Sequence, residues 1–299
     1  MVTEQRSTNL RGIVLMLVGM MGMAGTDASA KWLVTSDYSV IQVLAVRGWV
    51  ILVLMLIYAA ARNMWADLRT RRPVGHMVRL FFNFAGPIFL FLAYRDLPLA
   101  DVTVILFSAI FWSAGLSHPL FGERIGVHRW AAIAVGFVGV TIVMRPGTEF
   151  FQLAVVYALL AGVCFSGLNL CARWLRETEN AFSLTFYSMA GLTILTSLIL
   201  PHYWKPMPLN DLLVFFAMGC FTLFGYILMT QAFMVAPVGV VAPFEYSILL
   251  WATILGYLLF GDIPDAYVWT GAAVVVVSGV YLVHRASLAH DTVPEAPHG

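Results

Sequence analysis

Two stretches decide the fold: AYRDLPLADVTVILFSAIFWSAGLSHPLFGERIGVHRW (93–130) and AFMVAPVGVVAPFEYSILLWATILGYLLFGDIPDAYVW (232–269). Laid against each other at a constant shift of 139 residues, they align without a gap. Pro98 meets Pro237, Ser108 meets Ser247, Trp112 meets Trp251, Leu120-Phe121-Gly122 meets Leu259-Phe260-Gly261, and Trp130 meets Trp269. Glu123 falls opposite Asp262. A second match sets Lys31-Trp32-Leu33 against Arg173-Trp174-Leu175, and with it Asp27 against Asn169. The chain therefore reads as an internal duplication.

What is duplicated is a membrane unit. Of 299 residues, 61 % are hydrophobic and 11 % are Asp, Glu, Lys or Arg, with a mean hydropathy of +0.85. A soluble domain carries roughly 25 % charged residues, so this composition excludes a cytosolic enzyme, a nucleic-acid binder and a disordered protein. A net charge of +1 gives no field to attract a polyanion. Runs of about 20 apolar residues are long enough to cross a bilayer, and ten such runs are present, near 11–33, 38–60, 75–94, 97–119, 127–145, 150–174, 181–200, 210–233, 238–260 and 266–284. They are continuously apolar rather than alternating, which predicts helices and not a barrel. The spacing predicts an all-α membrane protein of ten transmembrane helices. The first five-helix repeat is expected over 1–146, the second over 147–286, and a disordered cytoplasmic tail over 287–299.

Five helices per repeat is an odd number, so the second repeat must enter the membrane in the opposite direction to the first. Inverted repeats are the signature of secondary transporters, whose sites lie near the midplane between the halves. Lys and Arg set the orientation. With the N-terminus inside, twelve arginines flank the inner ends, including Arg62, Arg69, Arg71, Arg72 and Arg79, whereas the outer flanks hold Lys31, Arg95, Arg145 and Lys205. Both termini are thus expected in the cytoplasm. Ala28-Ser29-Ala30 has the look of a signal-peptide cleavage site, but Asp27 lies beside it and the repeat needs the first helix, so retention of that helix is expected. Cys164, Cys171 and Cys220 fall inside spans and read as small packing residues. The seven histidines form no ligand cluster.

With these features the chain resembles the EamA-type carriers of the drug/metabolite transporter superfamily, on PLADVTVILFSAIFWSAGLSHPLFGERIGVHRW (98–130), APVGVVAPFEYSILLWATILGYLLFGDIPD (236–265) and the 5+5 duplication. That resemblance implies alternating access without ATP. It also implies a bacterial inner-membrane carrier of small molecules, of which amino-acid exporters of the YddG type are one kind. Consistent with this, the chain has no phosphate-cradling Gly-rich loop ending in Lys-Ser or Lys-Thr.

Charges within spans are costly and mark function. Four stand out: Asp27, Arg47, Asp101 and Glu245. Asp27 and Arg47 lie at similar depths on consecutive helices and are expected to pair, directly or through water, with Lys31 as a competing partner. The pair either holds the first two helices together or meets a charged group of the cargo. Glu245 breaks the internal symmetry, its mate being Leu106, and is a candidate for proton coupling, for an ammonium group of the cargo or for an interhelical hydrogen bond. Asp101 reads as a cap near the outer surface, sharing a face with Ile105, Ser108 and Trp112. Trp112 and its mate Trp251 either stack on cargo or pack on neighbouring helices. Asn83, Asn169, Tyr187, Tyr226, Gln231 and Tyr246 widen the candidate cavity. Pro87 and Pro243 are positioned to free backbone carbonyls, Trp130 and Trp269 read as interface anchors, and Gly19, Gly22, Gly25, Gly136, Gly139 and Gly271 as points of close helix approach.

The expected function is a secondary transporter exporting small metabolites, amino acids foremost, aromatic or bulky apolar ones included. The alternative is an uptake carrier for a vitamin or cofactor such as riboflavin or S-adenosylmethionine. An intramembrane enzyme is disfavoured because no span pairs histidine with carboxylates or serine at matching depth. A channel is disfavoured because the chain builds its own pseudo-symmetric pair. No cofactor, metal, ATP or nucleic acid is expected. The expected partners are the lipid bilayer and a small-molecule cargo, with the chain a monomer or weak dimer.

Overall fold

The computed structural model describes residues 2–65, 70, 72–122, 126–148, 152–175 and 178–290. Arg69, Arg71, Glu123, Arg124, Arg176 and residues 291–299 of the tail lie outside them. Twelve α-helices succeed one another: α1 (Val2–Thr35), α2 (Val40–Arg62), α3 (Pro73–Asp96), α4 (Leu99–Leu106), α5 (Ser108–Phe121), α6 (Val127–Met144), α7 (Leu153–Leu175), α8 (Ala181–Ile199), α9 (Leu209–Val235), α10 (Val238–Val241), α11 (Ser247–Phe260) and α12 (Ala266–His290). They provide ten stretches long and apolar enough to span a membrane. The N-terminal face of the bundle bears the start of α1 and the α2–α3 loop, and the opposite face bears the end of α1 and the start of α2.

Local sequence explains the helix ends. Ser39 caps α2 by accepting from the Gln42 N–H at 3.1 Å, and Asn180 caps α8 by accepting from the Ser183 N–H at 2.7 Å. Asp265 accepts from the Tyr267 and Val268 N–H groups at the start of α12 and pairs with Arg145. Partial burial works against its charge, but these donors hold its carboxyl below the usual range. The duplicated Leu-Phe-Gly has a plain geometric purpose. Gly122 (φ 68°) and Gly261 (φ 72°) close α5 and α11 in the left-handed conformation that favours glycine.

The fourth and ninth spans are each built of pieces. The first is interrupted at Phe107, between α4 and α5. The second carries a short 3-10 segment, Ala242–Tyr246, ahead of α11. In the ninth span the cause is visible, since Pro243 lacks the N–H that an α-helix would use. No proline marks the break at Phe107. Yet Phe107 and Tyr246 are partners under the 139-residue shift, so the two breaks are equivalent. Their rings meet at 4.8 Å between centroids.

The helices pack in repeat-related pairs. α1 packs most extensively on α9 and α3 on α7, and these pairings exchange under the duplication; α2 meets α8 and α6 meets α12, each helix facing its own repeat partner. Small residues permit the closest crossings. A Cβ added to Gly225 of α9 would lie 3.0 Å from the Gly19 carbonyl oxygen of α1. One added to Gly271 of α12 would lie 2.6 Å from the Gly139 oxygen of α6. In lipid, where apolar surface gives helices no reason to associate, such backbone approach is the main source of packing.

Apolar side chains face outward and charges face inward. Val53, Phe81, Leu198 and Val277 are among the exposed large hydrophobics, and Trp32, Trp65, Trp130, Trp174, Trp204 and Trp269 lie exposed near helix ends, as an interfacial belt requires. Lys31, Arg47, Arg79 and Asp101 are buried. Replacing Gly271 by leucine should overpack the α6–α12 crossing and destabilise the protein by about 1–3 kcal/mol. Gly115→Leu, at a site with open space within 4 Å, should leave thermal unfolding of the detergent-solubilised protein nearly unchanged. Equal losses for both variants would show that the crossing is not tight.

Candidate functional site

Polar groups line the interior in a ladder from one face to the other. Asp27 on α1 and Arg47 on α2 lie roughly 10–12 Å from the opposite-face ends of their helices at 1.5 Å per residue. No ion pair within 4.0 Å joins them; they are linked at longer range, within the same electrostatic field. The wholly buried Tyr94 hydroxyl points at the Asp27 carboxylate without meeting full hydrogen-bond geometry. Arg47 is 7 % exposed and stands over the Phe91 ring at 5.6 Å, and its Nε has no hydrogen-bond acceptor. Tyr226, half-buried on α9, lies in the field of both Arg47 and Arg79. Asp27, Arg47 and Tyr226 thus belong to one constellation.

Asn83 belongs to the bundle's framework. It is buried and donates to the Ser188 carbonyl oxygen at 2.9 Å. One turn earlier on α3, Arg79 donates to Ser188 Oγ and to the Leu168 carbonyl oxygen, both at 2.9 Å. The α3 face Arg79–Asn83 therefore ties α3 to α7 and α8. Tyr187 lies on the same side of the molecule, its ring 4.6 Å from that of His76.

A second group surrounds the broken helices. Glu245 sits in the 3-10 segment, half-buried, with no ion-pair partner among the described residues. Tyr246 packs on Phe107 and its hydroxyl presses against Gly279 of α12, leaving no room for a Cβ there. The two repeat-related tryptophans are held apart. Trp251 donates from Nε1 to the Leu17 carbonyl oxygen of α1 at 3.1 Å, and Trp112 packs edge-on against Phe137 of α6 at 4.8 Å with its buried Nε1 unpartnered. Asn169 and Gln231 are exposed.

Lys31, read as a flanking charge, proves to be interior, as do Asp101 and Glu179. Lys31 does not turn back to Asp27. It is 7 % exposed and reaches Asp262 at 2.6 Å and the Leu97 carbonyl oxygen at 3.0 Å, across the ends of α1, α3 and α11. Asp101 is buried in the field of Asp265, Arg145 and Asp262. On the N-terminal face, buried Glu179 accepts from Thr70 Oγ1 at 2.8 Å, from the Arg72 N–H at 3.2 Å and from Ser183 Oγ at 2.9 Å, with His76 Nε2 at 3.4 Å. Glu179 sits just before α8, where a loop glutamate looks solvated in the sequence; only its contacts to the distant Thr70 and Arg72 reveal its burial. On the opposite face a crevice of about 490 Å³ opens between α1, α3 and α7, lined in part by Asp37, Arg95, Asp96 and Tyr157.

Chemically, the ladder offers three carboxylates (Asp27, Asp101 and Glu245), two guanidiniums (Arg47 and Arg79) and several aromatic rings within the spans. No group of three His, Cys, Asp or Glu side chains placed to hold a metal occurs among the described residues. Such a set presents both signs of charge to a dipolar molecule.

Comparison with known proteins bears on the fold and the family. The EamA-like transporter family matches the chain twice, over residues 10–145 and 152–285, one match for each half. An S-adenosylmethionine uptake transporter of Rickettsia felis is 25 % identical over 95 % of this chain and 96 % of its own length. A riboflavin transporter of Vibrio cholerae is 25 % identical over 77 % of this chain and 78 % of its own. A pseudopaline exporter of Pseudomonas aeruginosa is 24 % identical over 76 % and 81 %. A crystal structure superposes with a TM-score of 0.63 at 16 % identity, covering 94 % of this chain and 99 % of that one, which supports the fold. Two matched halves spanning nearly the whole chain, on a ten-helix bundle with its charges turned inward, place this protein in the EamA-like transporter family: it is a membrane transporter and not an enzyme.

Proposed function

We propose that the protein is an alternating-access carrier of small metabolites bearing an amino-acid group, including amino acids with aromatic or bulky apolar side chains. The observation that carries this reading is the incomplete pairing of Arg47. A buried guanidinium whose Nε meets no acceptor, with Asp27 near but not in contact, leaves space for a second carboxylate. A cargo carboxylate would complete Arg47 by a charge-assisted hydrogen bond. Its ammonium group would lie toward Asp27, with Tyr94 and Tyr226 supplying hydroxyls. Phe91 and Tyr226 offer rings for the rest of the molecule. Trp112 and Trp251 play the lesser role of positioning α6 and α1.

Export from the cytoplasm is the direction we assign, with the arginine-rich α2–α3 loop and both termini on the cytoplasmic side of a bacterial inner membrane. The chain contains both halves of the carrier, so a monomer suffices. A second reading is uptake of an S-adenosylmethionine-like compound. It is favoured by the S-adenosylmethionine uptake transporters that match 95 % of the chain. Both cargoes carry an amino-acid group, so the Arg47 site serves either; riboflavin has none.

Two outcomes are expected. In proteoliposomes offered labelled phenylalanine, tryptophan, S-adenosylmethionine and riboflavin, with and without a pH gradient, at least one of the amino-acid-bearing compounds should move and riboflavin should not. Transport of riboflavin alone would refute the reading. Second, Arg47→Gln should weaken binding of the carried compound at least tenfold, a loss of about 1.4 kcal/mol, while binding of its decarboxylated analogue stays within twofold. Equal weakening of both would make Arg47 a structural residue. The paired swap Asp27→Arg with Arg47→Asp should not restore transport; if it does, the two charges serve only to join α1 to α2.

A further inference from the structure

The duplication pairs Lys31 with Arg173 and Phe260 with Phe121. The structure turns this correspondence into contacts. On the opposite face, Lys31 Nζ of α1 lies 4.8 Å from the centroid of the Phe260 ring at the end of α11. On the N-terminal face, the Arg173 guanidinium carbon of α7 lies 4.7 Å from the centroid of the Phe121 ring at the end of α5. Each contact crosses between the halves, one on each side of the membrane. Each joins the C-terminal end of the first helix of one repeat to the end of the fourth span of the other.

We propose that these two cations are the latches of the carrier: Lys31 closes the opposite face and Arg173 closes the N-terminal face, and the carrier opens toward whichever latch is released. The inference rests on the alternating-access reading of the protein's function. An aromatic ring attracts a cation without demanding directional hydrogen bonds, so such a contact is made and broken with little rearrangement of the backbone. The Lys31 latch is reinforced by the Asp262 carboxylate at 2.6 Å and the Leu97 carbonyl at 3.0 Å. It is buried from water, with Lys31 at 8 % and Asp262 at 25 % side-chain exposure, so releasing it exposes three partners at once. Helix ends that part only when a buried cation is rehydrated have two discrete arrangements, which is what a gate requires.

Cys171 supplies a native reporter. It is buried on α7, close to the N-terminal face and distant from Lys31. In full-length protein carrying Cys164→Ala and Cys220→Ala, reconstituted in vesicles, a membrane-impermeant maleimide offered from the N-terminal face should label Cys171 slowly. Lys31→Met should favour opening of the far face and lower that labelling at least threefold. The milder Asp262→Asn should act in the same direction, and covers the case in which Lys31→Met does not fold. Arg173→Met should raise labelling at least threefold, and Lys31→Asp with Asp262→Lys should return it to the parent level. Unchanged labelling in Lys31→Met and Asp262→Asn would overturn the proposal, as would the same sign of change for Lys31→Met and Arg173→Met. The readout needs no cargo, so it stays informative if every compound in the flux panel fails; flux with latch-insensitive labelling would sink the latches and leave the carrier.

Discussion

Everything in this molecule stems from one topological constraint: a five-helix unit crosses the membrane an odd number of times, so a tandem copy must lie upside down. Inversion puts equivalent residues of the two copies at mirrored depths. It makes α1 pair with α9 as α7 pairs with α3, and makes α2 and α6 meet their own counterparts. It brings Phe107 and Tyr246, which exchange under the duplication, into contact. A carrier needs two nearly equivalent conformations, one open to each side, and an inverted duplication supplies them from a single design because the two halves can exchange roles.

The bilayer imposes the second condition. Buried charge is tolerated only where protein surrounds it, and the bundle encloses Lys31, Arg47, Arg79 and Asp101 in this way. These groups fall into three levels. Lys31 and Asp262 bind the helix ends on one face. Glu179, with Thr70, Ser183 and His76, binds them on the other. Between lie Asp27, Arg47 and Tyr226, with the Arg47 Nε lacking an acceptor. The carboxylates at the faces are paired within the protein, whereas the middle level keeps an unpartnered Arg47 Nε, and that difference is the ground for the binding site we propose.

Much of this was legible in the sequence, for physical reasons that differ by feature. Span number, helix type and inversion come from local hydropathy and a constant 139-residue offset, which need no tertiary information. The glycines at 139 and 271 were readable as contacts because nothing else explains a small residue on a membrane helix. What stayed hidden depended on distant partners. Arg79 and Lys31 looked like flanking charges because counting by position treats every cation near a span end as solvated. Their acceptors, Ser188, Leu168 and Asp262, are 89 to 231 residues away. The Phe107 break carries no proline and is betrayed only by its repeat partner. Arg47 shares its electrostatic surroundings with Asp27 and Tyr226, whereas Trp112 and Trp251 match in sequence and diverge in space because each packs on its own neighbouring helix.

Rocking of the two inverted halves about a cargo site between them, as we propose, is tested most directly by a pair of distances measured together. Spin labels at Thr35 and Ile263, both exposed on the opposite face, report one side; labels at Asn63 and Pro237, exposed on the N-terminal face, report the other. With the protein in lipid nanodiscs, pulsed electron paramagnetic resonance should show the two distances changing in opposite directions when a carried compound is added. Distances that stay fixed, or lengthen and shorten together, would contradict a rocking carrier.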